Sequence, residues 1–373
     1  MAITRITNIA STIPDGSIAN DKLSDIVNFK NIIINGDMSI AQRSTSVASI
    51  TTSNYYTVDR FNMAITTLGT WTQSQDTSVP TGQGFAKSLK LACTTADASP
   101  AAGDVLQIQQ RFEGQNLQYL KYGTSNAQSL TLSFWIKSNK TGTYVATFYN
   151  NDNARSISKS YTIDSADTWE KKTITYAGDT VGALDNDNAS SLLLILYMGA
   201  GTDFTSGTLN TSWNSYVASN VAVGQVNLAD STSNYINITG VQLEAGTSAS
   251  DFEFLPYDVN LRRCQRYYYR INPNGTSGSI GSASYYISTA AFTSLNFPTS
   301  MRTSPSLETV TGTNYYAINR NGDNDFFNDF SLNTSNIDSA DLYTDSNLSS
   351  TSGDAGRTRF ASASGYVAFT AEL

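Results

Sequence analysis

The sequence predicts an all-β protein built around a sandwich of two sheets. Short segments that alternate apolar and polar residues recur about every ten residues, and Gly, Asn, Asp and Ser separate them. Charged residues make up only 14% of the chain, well below the roughly 25% of typical soluble proteins. Ser, Thr, Asn, Gly and Gln must therefore cover the surface, and these residues suit turns and strand faces better than long helices.

Residues 1–30 differ from the rest of the chain. Isoleucines recur there every three or four positions, at Ile3, Ile6, Ile9 and Ile13. Pro14 and the β-branched residues disfavour a stable helix. A segment this short cannot bury its own apolar side chains, so it is either disordered or ordered only against another chain. We expect an extended docking segment.

Residues 31–256 carry the clearest strands. Three segments, at 131–138, 143–150 and 171–178, alternate apolar and polar residues. The sequence SNKTG between the first two has the length and composition of a hairpin turn, so we expect those two strands to pair. Apolar residues fill both faces of 191–198, as in an inner strand.

The segment 235–246 also alternates, and Gly240 within it allows a β-bulge. The last block, 257–373, predicts a smaller C-terminal β domain. In this block, 261–270 begins with a helical turn and continues as a strand, 319–356 forms long loops that carry short strands, and YVAFTAEL is a closing strand.

The missing residue types exclude several function classes. The chain has no histidine, which removes Ser-His-Asp and Cys-His catalysis. A net charge of −8 without a basic stripe disfavours nucleic-acid binding, and no apolar run is long enough for membrane insertion. Cys93 and Cys264 are expected to be reduced and structural. A pair of carboxylates that cleaves glycosidic bonds remains the one catalytic alternative, and we expect no enzyme activity.

Aromatic residues in polar stretches are candidates for sugar stacking. Trp213, Tyr216, Tyr315 and Tyr316 lie among Asn, Ser and Thr, and an exposed ring beside amides can stack on a sugar face. The alternative is ordinary packing in a core.

The one cluster of basic residues lies in 261–270. In an acidic chain, these arginines are expected to pair with carboxylates rather than with nucleic acid. We therefore place five residues at a domain or subunit junction: Arg262, Arg263, Arg266, Tyr267 and Tyr268.

Six phrases stand in order along the chain: NIIINGDMSIAQR at 31–43, YTVDRF at 56–61, GVQLEAG at 240–246, LRRCQRYYYR at 261–270, FPTSMRTSP at 297–305 and a final FTAEL. As an ordered set, they resemble a family of tailed-bacteriophage virion proteins, mostly tail or head fibres. Three further phrases, SFWIKSNKTGTYVATFY, DTWEKKTITYAG and ITGVQLEAG, resemble carbohydrate-binding modules of the jelly-roll type. The closure of such a sandwich would bring GVQLEAG next to NGDM.

These resemblances imply a homotrimeric virion fibre protein, most often a tail fibre, made in the host cytoplasm. Residues 1–30 would dock it to other virion proteins of tail, neck or capsid, and 31–256 would form the jelly roll. Loops of the jelly roll and of the domain at 257–373 would adhere to host cell-surface glycan. Two alternatives stay open: a capsid or neck decoration or adaptor protein with no receptor contact, and a glycan-degrading tail spike.

No cofactor is expected, but the resemblance leaves a structural calcium open. Asp185 and Asp187 stand two residues apart in DNDN, and calcium binds carboxylates and carbonyl oxygens in such loops. The alternative is an ordinary turn, because Asn and Asp dominate turns for conformational reasons.

Overall fold

The structure, a computed structural model, describes residues 29–271 and 278–373, and it confirms an all-β fold. The isoleucines of the predicted docking segment, Ile3, Ile6, Ile9 and Ile13, lie outside the described residues. Two α-helices occur in the described ranges, α1 at Thr202–Thr205 and α2 at Tyr257–Gln265. Neither of them has the length and apolar character that a membrane crossing requires.

The strands up to residue 245 form two antiparallel sheets. Their bounds are β1 Ser46–Ile50, β2 Asn62–Thr66, β3 Thr70–Asp76, β4 Ser88–Thr95, β5 Val105–Glu113, β6 Leu130–Ser138, β7 Gly142–Asn150, β8 Arg155–Ile163, β9 Glu170–Tyr176, β10 Ser190–Ala200, β11 Asn214–Ser215 and β12 Tyr235–Ala245. Within the described residues, the first sheet has the order β1-β3-β4-β12-β6-β9 and the second β11-β8-β7-β10-β5-β2. This is the predicted sandwich.

The main core lies between the two sheets and is filled by alternate residues of their strands. On β6, Leu132 and Phe134 are fully buried, whereas Trp135 lies on the opposite face and is only partly buried. Both faces of β10 are covered, because Leu194 contacts the main core and Leu193 joins a smaller cluster on the other side. The prediction of an inner strand at 191–198 is therefore confirmed.

The predicted hairpin between β6 and β7 is wrong. β6 pairs with β9 and β12 in the first sheet, whereas β7 pairs with β8 and β10 in the second. Residues 138–142 thus cross from one sheet to the other. The hydroxyl of Ser138 accepts from the amide of Lys140 at 3.0 Å, and the hydroxyl of Tyr144 donates to the Lys140 carbonyl at 2.9 Å, which stabilises the crossing.

The segment that enters the sandwich, residues 31–36, lies along β12, and we call it the entering chain. The amide of Ile32 donates to the Leu243 carbonyl, and the amide of Val241 donates to the Gly36 carbonyl, each at 2.9 Å. The side chain of Asn31 accepts from the amide of Leu243 at 3.0 Å and donates to the carbonyl of Val241 at 3.2 Å. The predicted placement of GVQLEAG beside NGDM is confirmed.

The remaining strands form two further antiparallel sheets. Their bounds are β13 Tyr268–Ile271, β14 Ser279–Ile287, β15 Ala290–Asn296, β16 Ser306–Thr309, β17 Tyr316–Arg320, β18 Asp323–Phe327, β19 Ser331–Ser335, β20 Ser339–Thr344, β21 Ala355–Phe360 and β22 Val367–Thr370. In the described part of the chain, the sheet orders are β13-β22-β16 and β18-β17-β21-β14-β15-β20-β19. A second core with Val367 and Phe369 joins them. Strands occupy more of 319–356 than predicted, because β18, β19 and β20 follow one another closely.

Candidate functional site

An open groove of about 370 Å³ lies on the outer face of the first sheet, within the size range of small-molecule sites. We call it the outer groove. Trp135 and Lys171 form one side of it. Three phenylalanines line it as well: Phe85, Phe252 and Phe254. An accessible concavity with this many aromatic rings is unusual on a surface that is otherwise covered by Ser, Thr and Asn.

The register of β6 determines where Trp135 lies. Its neighbours in the sheet are Lys171 on β9 and Thr239 on β12. Because Phe134 is buried in the core, the alternation of the strand directs Trp135 to the outer face. The indole N–H of Trp135 forms no hydrogen bond with any described residue, so it is available to a ligand.

The phenylalanines form a compact group of their own. The ring centroids of Phe85 and Phe252, and of Phe85 and Phe254, are 5.1 Å apart, and those of Phe252 and Phe254 are 4.9 Å apart. Phe254 is 49% exposed. Gly240 lies under this group in the predicted β-bulge, which the register shift between Thr239 and Gln242 confirms.

Gly240 is required there for two reasons. Its φ is +62°, a conformation that other residues rarely adopt, and a Cβ atom would lie 2.5 Å from the ring of Phe85. The bulge therefore lets Phe85 rest directly on the backbone of β12, and it sets the depth of the outer groove.

Polar side chains of the outer groove are free to bind a ligand. Those of Gln83, Lys171 and Asp251 line it, and none of them forms a hydrogen bond or an ion pair within the described residues. Ring faces beside unoccupied donors and acceptors match the two needs of a saccharide, which presents C–H faces and hydroxyl groups. The chemistry of the outer groove therefore fits an uncharged, hydroxyl-rich ligand.

Two of the predicted sugar-stacking residues lie beside the second sheet, away from the outer groove. The indole N–H of Trp213 donates to the carbonyl of Ala177 at 2.7 Å, and its ring packs edge-on against Tyr122 with centroids 5.8 Å apart. Tyr216 packs against Tyr149 at 5.0 Å and remains 38% exposed. Trp213 is thus engaged within the protein, whereas one side of Tyr216 is open.

The other two predicted residues lie in the C-terminal domain. Tyr316 is fully buried, and its hydroxyl donates to the carbonyls of Val310 and Tyr366 at 2.8 and 2.9 Å. Burial removes Tyr316 from the rings that a sugar could reach. Tyr315 is partly buried, and its ring packs on Gly312, where a Cβ atom would lie 2.3 Å from it.

The sequence-based set of candidate sugar-binding residues does not include Trp135, which lines the outer groove. The alternation in TLSFWIKS could have identified it, because a tryptophan on the polar face of a strand with Thr131 and Ser133 has no core to enter. No such local signal exists for Phe85, Phe252 and Phe254, which come together only through the fold.

Asp185 and Asp187 contribute to turns. The amide of Asp185 donates to the Asp152 carboxylate at 2.9 Å, and the Asp187 carboxylate accepts from the amide of Ala189 at 2.9 Å. Across residues 29–271 and 278–373, no group of three or more acidic or cysteine side chains is arranged to hold a metal ion. Calcium at this position stays an untested alternative to an ordinary turn.

Three of the residues assigned to a junction join α2 and β13 to neighbouring elements. Arg266 donates to the Glu113 carboxylate through Nε and Nη2, both at 2.7 Å, and the hydroxyl of Tyr267 donates to the same carboxylate at 2.5 Å. Burial alone would raise the pKa of Glu113, but these hydrogen bonds outweigh it and lower the pKa. Tyr268 donates to Glu308 at 3.1 Å.

The other two residues of that set differ from each other. The Nη2 of Arg263 donates to the carbonyl of Asn31 at 3.2 Å, so it too links α2 to the start of the sandwich. Arg262 is exposed, and its side chain forms no hydrogen bond or ion pair with the described residues.

Five of the six phrases that carry the phage resemblance meet at this same junction. Arg60 of YTVDRF is fully buried and pairs with the carboxylate of Glu372 in FTAEL. Arg302 of FPTSMRTSP donates through Nε to the carbonyl of Ala371 at 2.7 Å. Gln42 of NIIINGDMSIAQR donates to the carbonyl of Tyr268 in LRRCQRYYYR at 2.6 Å. These residues therefore act in the architecture, and the outer groove contains none of them.

No known protein family matches the sequence, and no curated protein matches it. Among solved structures, the chain is similar to the enzymatically active domain of tailspike protein 4 of bacteriophage CBA120, with 15% identity and a TM-score of 0.30. That match covers 58% of this chain but only 21% of the tailspike chain.

Two further structures are similar over nearly the same share of the chain. One is a protein of Bacteroides thetaiotaomicron described as sugar-binding, with 14% identity, a TM-score of 0.32, and coverage of 58% of this chain and 99% of that one. The other is a family 11 carbohydrate-binding module of Clostridium thermocellum in complex with a mixed-linked tetrasaccharide, with 12% identity, a TM-score of 0.25, and coverage of 57% and 94%. Because these TM-scores are low, the fold assignment rests on the strand pairing.

Proposed function

We propose that this chain binds a saccharide in the outer groove and serves as a fibre protein that attaches a tailed-phage virion to host surface glycan. The observation that carries the saccharide assignment is the outer groove itself, in which the exposed faces of Trp135 and Phe254 lie beside polar side chains that have no partner among the described residues. Binding at one such groove is weak, and several copies on a particle multiply it through effective concentration.

The decisive residue for this proposal is Trp135. Glycan-array screening of the full-length protein identifies a ligand, and titration calorimetry measures its affinity. Trp135→Ala is expected to weaken binding about tenfold or more, because central aromatic residues dominate binding energy. Trp169→Ala is the matched control, since Trp169 does not line the outer groove. Failure of the wild-type protein to bind any glycan or host polysaccharide, or equal affinities of both variants, would rule the proposal out.

The proposed role is binding without catalysis. Hydrolysis of glycosidic bonds requires two carboxyl groups on opposite sides of the scissile bond, and Asp251 is the single carboxylate among the described residues that line the outer groove. Incubation with the bound polysaccharide should release no reducing ends. A time-dependent release would favour the tail-spike alternative.

The six ordered sequence phrases support a position in the virion as a homotrimer. The isoleucines at Ile3, Ile6, Ile9 and Ile13 need apolar partners, which two further copies would supply around a common axis. Light scattering is expected to give three times the 40.3 kDa of one chain. Deletion of residues 1–28 is expected to abolish incorporation into particles while glycan binding persists. A stable full-length monomer would contradict the trimer.

A further inference from the structure

A second cavity, of about 490 Å³, lies where the end of β5 faces α2. We call it the cationic cleft. Three guanidinium groups line it, those of Arg111, Arg263 and Arg266, together with one carboxylate, that of Glu113. Positive charge collected in one cavity is notable in a chain with a net charge of −8.

The single carboxylate of the cleft does not balance this charge. Glu113 already accepts two hydrogen bonds from Arg266 at 2.7 Å and one from Tyr267 at 2.5 Å. The side chain of Arg111 forms no hydrogen bond or ion pair with the described residues. Arg263 donates only to the carbonyl of Asn31. Two guanidinium groups therefore face the cleft without a carboxylate partner of their own.

One further carboxylate, that of Glu253, attracts Arg263 without forming a hydrogen bond with it. Glu253 attracts Arg263 electrostatically, but its two oxygens accept from the amides of Phe29 at 2.5 Å and Asn31 at 2.9 Å. It does not line the cationic cleft. Its charge offsets that of Arg263 in part and leaves the N–H groups of both free arginines available.

The rest of the lining adds an aromatic ring and an amide. Tyr119 is 51% exposed, and Asn116, which is exposed as well, has no side-chain hydrogen bond within the described residues. A guanidinium group binds a carboxylate through two parallel hydrogen bonds, a tyrosine ring covers a sugar face, and an amide binds hydroxyls. These three features together fit a ligand that has a carboxylate, a sugar face and hydroxyl groups.

We propose that the cationic cleft is a second binding site, which holds the carboxylate of an acidic saccharide between Arg111 and Arg263. This site is separate from the outer groove and does not depend on it. A chain with both sites binds acidic glycans in the cationic cleft and neutral glycans in the outer groove.

The test uses the full chain and a uronic-acid oligosaccharide, with a neutral oligosaccharide of equal length as comparison. Arg111→Gln is expected to weaken binding of the acidic oligosaccharide about tenfold or more, because it removes a charge-assisted bidentate contact. Arg262→Gln makes the same charge change on α2 outside the cleft, and we expect it to leave the affinity unchanged. Added salt should weaken the binding of the acidic ligand.

The outcomes separate this site from the outer groove. Binding of the acidic oligosaccharide that persists in Trp135→Ala and falls in Arg111→Gln supports the cleft, whatever happens to neutral ligands. Absence of binding, or equal losses in Arg111→Gln and Arg262→Gln, would overturn it. Competition by inorganic phosphate as strong as that by the acidic oligosaccharide would overturn the assignment to a sugar carboxylate.

Discussion

Buried charge is the most demanding feature of this protein at the scale of single residues. Arg60 is fully buried, its Nη1 donates to the carboxylate of Glu372, and its guanidinium lies 3.5 Å from the ring centroid of Tyr267. Burial alone would lower the pKa of Arg60, but the Glu372 carboxylate together with Tyr267, Tyr55 and Cys264 outweighs this and raises it. Arg60 is therefore charged, and the stability of the folded protein depends on its one counter-ion, Glu372.

The first prediction concerns that counter-ion. Glu372→Gln is expected to lower the free energy of unfolding by about 3–5 kcal/mol, because it leaves a buried arginine without its partner. The measurement is urea denaturation of the full chain. Asp76→Asn is the control, since the Lys90–Asp76 pair spans 3.5 Å with both side chains partly exposed, and such pairs contribute about 0–1 kcal/mol. Equal effects of both variants would contradict the prediction.

The second prediction concerns pH. Burial raises the pKa of Asp59 from 3.8 to about 6, although Arg43 and Gln42 oppose it. The folded state therefore binds this proton more tightly than the unfolded state. The stabilising contribution is fully present below pH 3.8 and is lost as pH rises to about 6.

Asp59→Asn should remove this dependence. Between pH 4 and 7, the free energy of unfolding of the wild type relative to Asp59→Asn is expected to fall by up to about 3 kcal/mol. Denaturation at a series of pH values measures this difference in the free energy of unfolding. Groups such as Glu113, whose contribution changes with pH in the opposite direction, are present in both proteins and cancel. Parallel pH profiles of the two proteins would show that Asp59 is not the responsible group.

Residue-scale prediction from sequence succeeded where alternation decides the environment. The alternation predicted for 131–138 places neighbouring residues on opposite faces, and the structure confirms this for Phe134 and Trp135. The environments of Tyr315 and Tyr316 could not be predicted, because polar neighbours in sequence do not reveal which ring faces a core.

At the scale of elements, the entering chain and β12 make a close backbone contact. Gly36 has no side chain, and a Cβ atom there would lie 2.0 Å from the carbonyl oxygen of Val241. The backbone of this segment can therefore approach β12 only where the residue is glycine.

The third prediction tests this contact. Gly36→Ala must displace the entering chain or β12, and we expect it to lower the melting temperature by several degrees or to prevent folding. Gly103→Ala is the matched control, because a Cβ atom there would meet only the Asp203 carboxylate at 3.7 Å. A Gly36→Ala protein as stable as the control would show that this approach is not required.

Element-scale prediction from sequence identified the strands of the sandwich but not all of their partners. Residues 138–142 have the composition of a hairpin turn, yet the same composition serves a crossing between sheets. The difference lies in which distant strand offers the better apolar face, and sequence alone does not show it. The strands β18 and β19 were underestimated because both are partly exposed edge elements rich in Asn, Asp and Ser.

At the scale of the whole molecule, the junction joins the sandwich to the C-terminal domain through buried polar contacts. Glu113 of β5 holds Arg266 and Tyr267, and Glu372 reaches back to Arg43 and Arg60. Because each half satisfies buried groups of the other, neither half is complete alone.

The fourth prediction follows from this mutual dependence. Calorimetry of the wild type should show one cooperative unfolding transition for the two halves. Glu113→Gln is expected to weaken the junction and to split the transition in two. Glu170→Gln, which affects the Glu170–Lys172 pair within the sandwich, should keep a single transition. Two transitions in the wild type would refute the coupling.

The pairing of Arg60 with Glu372 also constrains biosynthesis. The two residues are separated by 312 positions, so at about 5–20 residues per second the ribosome adds Glu372 roughly 15–60 s after Arg60. During that interval the nascent sandwich cannot bury Arg60 with its counter-ion, and a chain released early keeps an unneutralised cation in its interior. Synthesis of Glu372 thus separates chains that can neutralise Arg60 from shorter fragments that cannot.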